Sequence, residues 1–118
     1  MSPTEQAAAI ELTPERVAAW LDEPSPPQLV DVREPYEREA GHIEDTAHIP
    51  LAELTARADG LDRERPLIFY CRAGSRSQMA AQAFRAGGFE AYTMTGGLLR
   101  WAGEGRPLVP ADGRVADH

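Results

Sequence analysis

Lysine and asparagine are both absent from this 118-residue sequence, and positive charge is scarce. Arginine supplies all 12 cationic side chains against 19 aspartates and glutamates, so the formal net charge is −7 and the pI is about 4.9. A nucleic acid or an anionic membrane surface attracts a clustered basic patch. The acidic balance therefore predicts neither a nucleic acid nor a membrane as a partner.

Cysteine is nearly absent too, because Cys71 is the only one. A single thiol forms no internal disulfide. Cys71 and the three histidines, His42, His48 and His118, show no spacing typical of a zinc site, such as CxxC or HExxH. The sequence predicts no metal and no cofactor.

The sequence also lacks a long hydrophobic run. The longest one near the start covers residues 7–10, and Glu5 precedes it with no lysine or arginine nearby. A secretory signal needs a basic segment before a longer apolar one, and a membrane span needs about 20 apolar residues. We expect neither here, and we expect a cytoplasmic protein.

The overall composition is that of a folded protein. Hydrophobic residues make up 42% of the chain and charged residues 26%, which differs from the composition of disordered chains. A length of 118 residues is close to the commonest size of one domain. We expect a single domain over residues 1–118, with its core over residues 10–109 and a C-terminal tail over residues 110–118.

Short apolar segments alternate along the chain with segments of helical pattern. Strands are predicted at residues 10–12, 28–32, 47–49, 66–70 and 89–94. Helices are predicted from Pro14 with Thr13 as N-cap, from Pro50, over residues 77–86 and over residues 98–103. This order predicts an α/β fold with a central, mostly parallel sheet of about five strands and helices on both faces.

The helix predicted over residues 77–86 has an apolar stripe. Met79, Ala80, Ala83 and Phe84 are the side chains that we expect to face the core. Such a stripe would pack the helix against the strand that precedes it.

Cys71 directly follows the strand predicted at residues 66–70, and a helix begins a few residues later. In open α/β sheets this is where ligands bind, because the helix presents unpaired N–H groups. Gly74 lets the loop curl so that successive N–H groups form an anion-binding nest. An unperturbed thiol is only about 3% ionised at pH 7. The N–H groups and the guanidinium groups of Arg72 and Arg76 would stabilise the thiolate, so no separate general base is needed.

A structural role for Cys71 is the alternative, since most free cysteines are buried packing residues. An isolated arginine is likewise usually a solvated charge. A structural thiol, however, has no need of a strand-to-helix turn with a glycine and two arginines. We therefore interpret Cys71 as a nucleophile and its loop as an anion site.

Four blocks, in this order, resemble the rhodanese (thiosulfate sulfurtransferase) superfamily over about residues 10–110. They are residues 29–34 (LVDVRE), residues 41–50 (GHI through HIP), residues 71–77 (CRAGSRS) and residues 96–107 (GGLLRW through GRP). The resemblance implies the rhodanese-like fold. It also implies a catalytic Cys71 that attacks the outer sulfur of thiosulfate or a similar donor, releases sulfite and carries the sulfur as a persulfide.

The resemblance also implies roles for the other residues and partners. The substrate-binding residues would be those of the loop, Arg72, Ala73, Gly74, Ser75, Arg76 and Ser77. Arg76 would bind either the substrate or a neighbouring acid. Asp31, Arg33 and His42 would brace the site structurally. The partners would be a small anionic sulfur donor and an external acceptor, which is cyanide or a thiol, including one on a thioredoxin-like or other sulfur-accepting protein. A monomer is the default.

The second block departs from the usual pattern of the family. Glu44, Asp45 and His48 stand where proline, glycine and asparagine are usual. Aspartate tolerates a left-handed turn better than most residues do, so we expect the turn to form. The contacts usually made by the asparagine are the ones that this departure puts in question.

Three other functions remain open at this point. A phosphatase or arsenate reductase of this fold resembles Cys-x5-Arg enzymes, whereas this chain has Cys-x4-Arg with Ser77 at the later position. The shorter loop favours one sulfur atom over a phosphoryl group. A non-catalytic docking or sensing module usually lacks the loop cysteine. A persulfide relay to a partner protein differs from the enzyme only in its acceptor, and with one cysteine the acceptor is external.

Overall fold

The computed structural model describes residues 9–118, and the elements below are those of this part of the chain. The strands are β1 (Glu11–Leu12), β2 (Gln28–Asp31), β3 (Ala47–His48), β4 (Leu67–Tyr70) and β5 (Ala91–Met94). The helices are α1 (Pro14–Leu21), α2 (Pro35–Ala40), α3 (Leu54–Arg57), α4 (Ser75–Ala86) and α5 (Gly97–Gly103). None of the described helices is long and apolar enough to cross a membrane. The expectation for residues 7–10 lies mostly outside the described residues.

The five strands form one parallel sheet in the order β1-β5-β4-β2-β3. β4 is central and all of its residues are buried, as expected for an apolar strand that is covered on both faces. Parallel strands end at the same edge of a sheet, so Cys71 follows β4 between the carboxyl ends of β2 and β5. The predicted α/β fold with a parallel five-stranded sheet is confirmed.

The side chains of β4 alternate between two cores, one on each face of the sheet. Leu67 and Phe69, followed by Cys71, belong to the cluster that α3 and α4 cover. Ile68 and Tyr70 belong to the cluster that α1 and α5 cover. Helices thus lie on both faces, as the strand and helix order predicts.

Two of the predicted helices differ in how well they match the structure. At α1 the prediction is confirmed, because the backbone N–H of Arg16 donates to Thr13 Oγ1 at 3.1 Å and Pro14 is the first helical residue. The single helix predicted from Pro50 is instead divided into a 3-10 turn, the one-turn helix α3 and a second 3-10 turn. Leu54 is the buried residue of this segment. Tight turns of this kind are frequent at the ends of short helices.

The inward face of α4 differs from the predicted stripe. Met79 is 62% exposed and Ala83 is also exposed, whereas Ala80 and Phe84 are buried as predicted. The residues buried along α4 are Ser77, Ala80, Ala81 and Phe84. Their spacing of three and four residues defines one helical face. The prediction was wrong at Met79 and Ala83 because the stripe was chosen by hydrophobicity. That choice leaves out the small, polar Ser77, which the fold buries next to Cys71 Sγ.

Residues 110–118 contain neither helix nor strand and pack back onto the rest of the chain. The backbone N–H of Arg114 donates to the carbonyl oxygen of Ala40 at 2.8 Å. A Cβ at Gly41 would come within 2.5 Å of the Arg114 carbonyl oxygen, so a glycine is needed there for the close approach. Val115 packs against the core under α1 and α5, and Ala116 is 6% exposed. This path brings the C-terminal segment to the loop that holds Cys71.

Candidate active site

Cys71 lies in the loop that joins β4 to α4. β4 ends at Tyr70 and α4 begins at Ser75. Gly74 is the N-cap of α4, with a φ of +113° that side-chain-bearing residues rarely adopt. This conformation turns the first N–H groups of α4 back toward the cysteine.

The sulfur of Cys71 is buried and surrounded by hydrogen-bond donors. Cys71 is 1% exposed. Its Sγ accepts from the backbone N–H of Gly74 at 3.1 Å and from that of Ser77 at 3.4 Å, and it lies 3.5 Å from Ser77 Oγ. Hydrogen bonds that favour the charged form of a group, and the positive end of a helix, both stabilise a thiolate. The loop thus presents two backbone N–H donors to the sulfur, an arrangement that would stabilise its anionic form.

The carbonyl side of the same loop is held by α5. The N–H of Leu98 donates to the Cys71 carbonyl oxygen at 2.8 Å, and the N–H of Leu99 donates to that of Arg72 at 3.0 Å. A Cβ at Gly97 would lie 2.5 Å from each of these two oxygens. With its carbonyl groups bonded to α5, the loop keeps its N–H groups for the sulfur. Gly97 enters the sequence analysis only as part of the closing block, residues 96–107, and this role of it was missed.

Arg76 forms an ion pair with Glu37 of α2. Its Nη1 and Nη2 donate to Glu37 Oε2 at 2.8 Å and to Oε1 at 3.0 Å, and the Glu37 side chain is fully buried. Burial raises the pKa of Glu37, but hydrogen bonds from Arg76 and from the Glu34 N–H outweigh it and hold that pKa below its usual range. The hydrogen bonds to Glu37 raise the pKa of Arg76. Of the two predicted partners of Arg76, the structure places the neighbouring acid.

Arg72 contacts the C-terminal segment. Its Nε donates to the Ala116 carbonyl oxygen at 3.2 Å, and its Nη2 donates to Asp117 Oδ1 at 3.2 Å. The Arg72 side chain is 30% exposed and that of Asp117 is 99% exposed. This cation lies at the surface of the loop, where an anion from solution would compete with Asp117 for it.

The family model described as "Rhodanese-like domain" matches residues 13–104 of the chain, and this range includes the whole Cys71 loop. The chain belongs to the rhodanese-like domain family. It is 42% identical over 78 residues to the uncharacterized protein YqhL of Bacillus subtilis, and the aligned segment covers 65% of this chain and 62% of that protein. It is 34% identical over 86 residues to a sulfurtransferase of Allochromatium vinosum, which covers 72% of this chain and 80% of that protein.

Solved structures with the same fold also include rhodanese-related proteins. A rhodanese-related protein from Thermoplasma volcanium superposes with a TM-score of 0.78 at 27% identity, covering 84% of this chain and 96% of the other. The rhodanese-like fold expected from the four sequence blocks is thereby confirmed.

Asp31 and Arg33 form a buried pair at the end of β2 in this rhodanese-like domain. Arg33 Nε and Nη2 donate to the two Asp31 carboxylate oxygens at 2.9 and 2.8 Å, and Nη2 also donates to the Gly41 carbonyl oxygen at 2.8 Å. Burial lowers the pKa of Arg33, but the hydrogen bonds and charge of Asp31 outweigh it and raise that pKa. The pair fixes the strand end beside Tyr70, and among the described residues neither of its side chains is a hydrogen-bond partner of Cys71 Sγ.

The departures in the second block are accommodated. Asp45 adopts the left-handed turn with a φ of +60°. His48 Nε2 lies 2.7 Å from the Arg33 carbonyl oxygen, so a side-chain contact is made from the position usually held by asparagine. His42 Nδ1 lies 3.0 Å from the Arg38 carbonyl oxygen, and the His42 backbone pairs with Val109. Neither histidine is placed at the sulfur.

A polar cleft of about 260 Å³ lies between the loop and β5. Of the predicted loop residues, Ala73, Gly74 and Ser75 line it, together with residues of β1, α4 and the β5 end, namely Glu11, Gln78, Thr93, Met94, Thr95 and Gly96. Thr93 is a residue that sequence reasoning missed, since nothing in a strand pattern marks one hydroxyl as a neighbour of Ser77. In the described part of the chain, no three His, Cys, Asp or Glu side chains lie together as a metal site.

Proposed function

We propose that this protein is a sulfurtransferase in which the Cys71 thiolate accepts a sulfane sulfur from thiosulfate or a related donor. The observation that carries the proposal is the buried Sγ with two backbone N–H donors converging on it, from Gly74 and Ser77. Membership of the rhodanese-like family and the similarity to the A. vinosum sulfurtransferase support a role in sulfur transfer.

The proposed reaction has two displacement steps. The thiolate attacks the outer sulfur of thiosulfate, a bond forms between Sγ and that sulfur, and the old sulfur–sulfur bond breaks. Sulfite leaves with the bonding electron pair, so Cys71 holds a persulfide. An acceptor thiolate or cyanide then attacks the terminal sulfur, and Cys71 leaves as a thiolate again.

The loop has donors left for the added sulfur. The backbone N–H groups of Ala73, Ser75 and Arg76 have no hydrogen-bond acceptor among the described residues. A nest of N–H groups can stabilise a bound anion just as it stabilises a thiolate. These three groups are the ones that we assign to the terminal persulfide sulfur and to the donor anion. The guanidinium of Arg72 would add a charge at the entrance.

The rate of thiocyanate formation tests this proposal. Thiosulfate and cyanide are expected to give thiocyanate with the wild-type protein, and Cys71→Ser is expected to lose at least about a thousandfold in rate, because serine is not an effective nucleophile without a base. Equal thiocyanate production by both proteins would contradict the proposal. Turnover of an aryl phosphate with no thiocyanate would favour phosphatase chemistry instead.

A relay that delivers the sulfur to a partner protein is the second candidate. It is favoured by the large hydrophobic side chains that are exposed in the described part of the chain, Tyr36, Met79 and Leu99. Each is linked to the loop, either by its position in the chain or by a backbone hydrogen bond. Tyr36 precedes Glu37, Met79 lies three residues after Arg76, and the Leu99 N–H bonds the Arg72 carbonyl. Faster sulfur transfer to a thioredoxin-like protein than to an equal concentration of dithiothreitol would favour the relay over transfer to small acceptors.

A further inference from the structure

A buried pair of hydroxyl groups lies behind the sulfur of Cys71. Ser77 Oγ is 3.5 Å from Cys71 Sγ and 2.6 Å from Thr93 Oγ1 on β5. Ser77 is fully buried and Thr93 is 2% exposed, next to the apolar cluster that includes Phe69 and Ala80. A polar group in such surroundings costs free energy unless it is hydrogen-bonded. Among the described residues Thr93 Oγ1 has only Ser77 Oγ as a partner, so the Thr93 hydroxyl depends on Ser77.

The positions of the two hydroxyl hydrogens decide whether the sulfur accepts a hydrogen bond from Ser77. The two hydroxyls carry two hydrogens, and the bond between them uses one. If Thr93 donates, the Ser77 hydrogen is left for Cys71 Sγ or for the Gly74 carbonyl oxygen at 3.2 Å. That carbonyl already accepts from the Gln78 N–H at 3.0 Å. Hydrogen bonds to charged acceptors are the stronger ones, so a thiolate takes the Ser77 hydrogen.

The opposite arrangement suits the protonated sulfur. If Ser77 donates to Thr93, a lone pair of Ser77 Oγ faces Cys71 and accepts from a thiol S–H. Thr93 Oγ1 has no acceptor other than Ser77 Oγ for its hydrogen among the described residues, so Thr93 favours the first arrangement. Without the Thr93 hydroxyl, Ser77 Oγ would accept no bond from Thr93 and would be a weaker donor to the sulfur, because hydrogen bonds in a chain polarise one another.

We propose that Thr93 is a positioning residue that favours the Cys71 thiolate by orienting the Ser77 hydroxyl toward the sulfur. The inference rests on the proposed function, because sulfur transfer needs a thiolate, but Thr93 acts before any sulfur donor binds. Thr93 is held firmly, since its N–H donates to the Ile10 carbonyl oxygen at 2.8 Å and it lies opposite Phe69 in the sheet.

Other charges lie around the loop and are left in place by the test. They are the pairs Arg76 with Glu37, Arg72 with Asp117 and Arg33 with Asp31, together with Arg38 beside Asp31, His118 near Glu37 and Glu11 in the cleft. A change in the ionisation of Cys71 on altering Thr93 alone is therefore assigned to the hydroxyl pair.

The test is the rate of Cys71 alkylation by iodoacetamide as a function of pH, which needs no sulfur donor. Thr93→Val keeps the side-chain shape and removes the hydroxyl, and it is expected to move the midpoint up by about half to one pH unit. Thr93→Ser is expected to match the wild type. Thr95→Val is the matched control, because Thr95 lines the same cleft but donates to Glu11 and not to Ser77. It is expected to leave the midpoint unchanged.

The Ser77→Ala background shows whether Thr93 acts through Ser77. There, Thr93→Val is expected to add no further shift. An unchanged midpoint in Thr93→Val, or an equal shift with and without the Ser77 hydroxyl, overturns the inference. Thermal unfolding checks each variant, and if Thr93→Val does not fold, Thr93→Ala carries the same expectation. A missing persulfide together with the expected midpoint shift would count against the proposed function and not against the role of Thr93.

Discussion

At the scale of single residues, the charged groups around Cys71 are held by partners outside its own loop. Arg76 is fixed by the buried Glu37, and Arg72 is bonded to Ala116 and Asp117. Removing one partner of a buried ion pair costs more than the pair itself contributes, because the other charge is left without compensation. Glu37 is therefore the residue on which the position of Arg76 depends most.

Glu37→Gln is expected to lower the free energy of unfolding by about 2–4 kcal/mol at pH 7, since it removes the charge opposite Arg76. The pKa of Glu37 is lowered in the folded protein. Its charged form therefore adds stability above its ordinary pKa near 4.5, and this stability is lost as the pH falls through the lowered value. Denaturant unfolding at pH 7 and at acidic pH is the measurement.

The acid dependence separates this pair from a packing effect. The free energy of unfolding is expected to fall more on acidification in the wild type than in Glu37→Gln. The same fall in both proteins would show that the carboxylate of Glu37 contributes nothing through its charge.

The sequence predicts the residues of the loop but few of their partners. Residues 71–77 are contiguous, so the strand, the glycine and the arginines can be recognised together. Glu37 lies 39 positions from Arg76, Thr93 lies 16 from Ser77, and Asp117 lies 45 from Arg72. Such contacts are made by the packing of separate elements, and no local pattern encodes them.

At the scale of elements, two helices meet the loop from opposite sides. The start of α4 gives N–H groups to the sulfur, and the start of α5 gives N–H groups to the carbonyl oxygens of Cys71 and Arg72. Gly97 begins α5 with a φ of +59°. The N–H groups of the loop are thus directed inward because α5 holds its carbonyl groups.

Gly97→Ala is expected to disturb this contact. The added Cβ would lie 2.5 Å from two carbonyl oxygens, and the left-handed conformation alone costs an alanine about 1–2 kcal/mol. We expect a lower free energy of unfolding by at least that amount, together with slower alkylation of Cys71, measured by denaturation and by iodoacetamide kinetics.

Gly103→Ala is the matched control in the same helix. A Cβ there would meet nothing within 4 Å, and alanine favours a helix over glycine. This variant is expected to keep wild-type alkylation kinetics and at least wild-type stability. Equal losses in both variants would show that the contact between α5 and the loop has no special role.

Elements differ in how well the sequence predicts them. The strand of β4 is read correctly because its residues are apolar and the next segment is a loop. The orientation of α4 is misread because Ser77 is buried for its contact with Cys71 and Thr93, while Met79 is exposed. Hydrophobic periodicity predicts a core face well only where the core contains no polar site.

At the scale of the whole molecule, the C-terminal segment connects α2 to the Cys71 loop. It bonds the Ala40 carbonyl through Arg114 and reaches Arg72 through Ala116 and Asp117. The sequence predicts only a tail here, because residues 110–118 have no periodic pattern. The segment places a carboxylate on the cation that we assign to the entrance of the site.

Asp117→Asn is expected to lower the KM for thiosulfate about two- to fivefold with little change in kcat, because an exposed ion pair competes only weakly with a dianion. Arg72→Ala is expected to raise the KM and to abolish the effect of Asp117→Asn. The exposed Asp112 lies in the same segment, and Asp112→Asn is the control. An unchanged KM in both Asp117→Asn and Arg72→Ala would remove this pair from donor binding.

Whether Cys71 carries the transferred sulfur is decided by the mass of the intact protein after incubation with thiosulfate. A gain of one sulfur atom is expected in the wild type and is expected to be removed by a thiol or by cyanide, whereas Cys71→Ser is expected to show no gain. No gain in the wild type, or the same gain in Cys71→Ser, would contradict this role of Cys71.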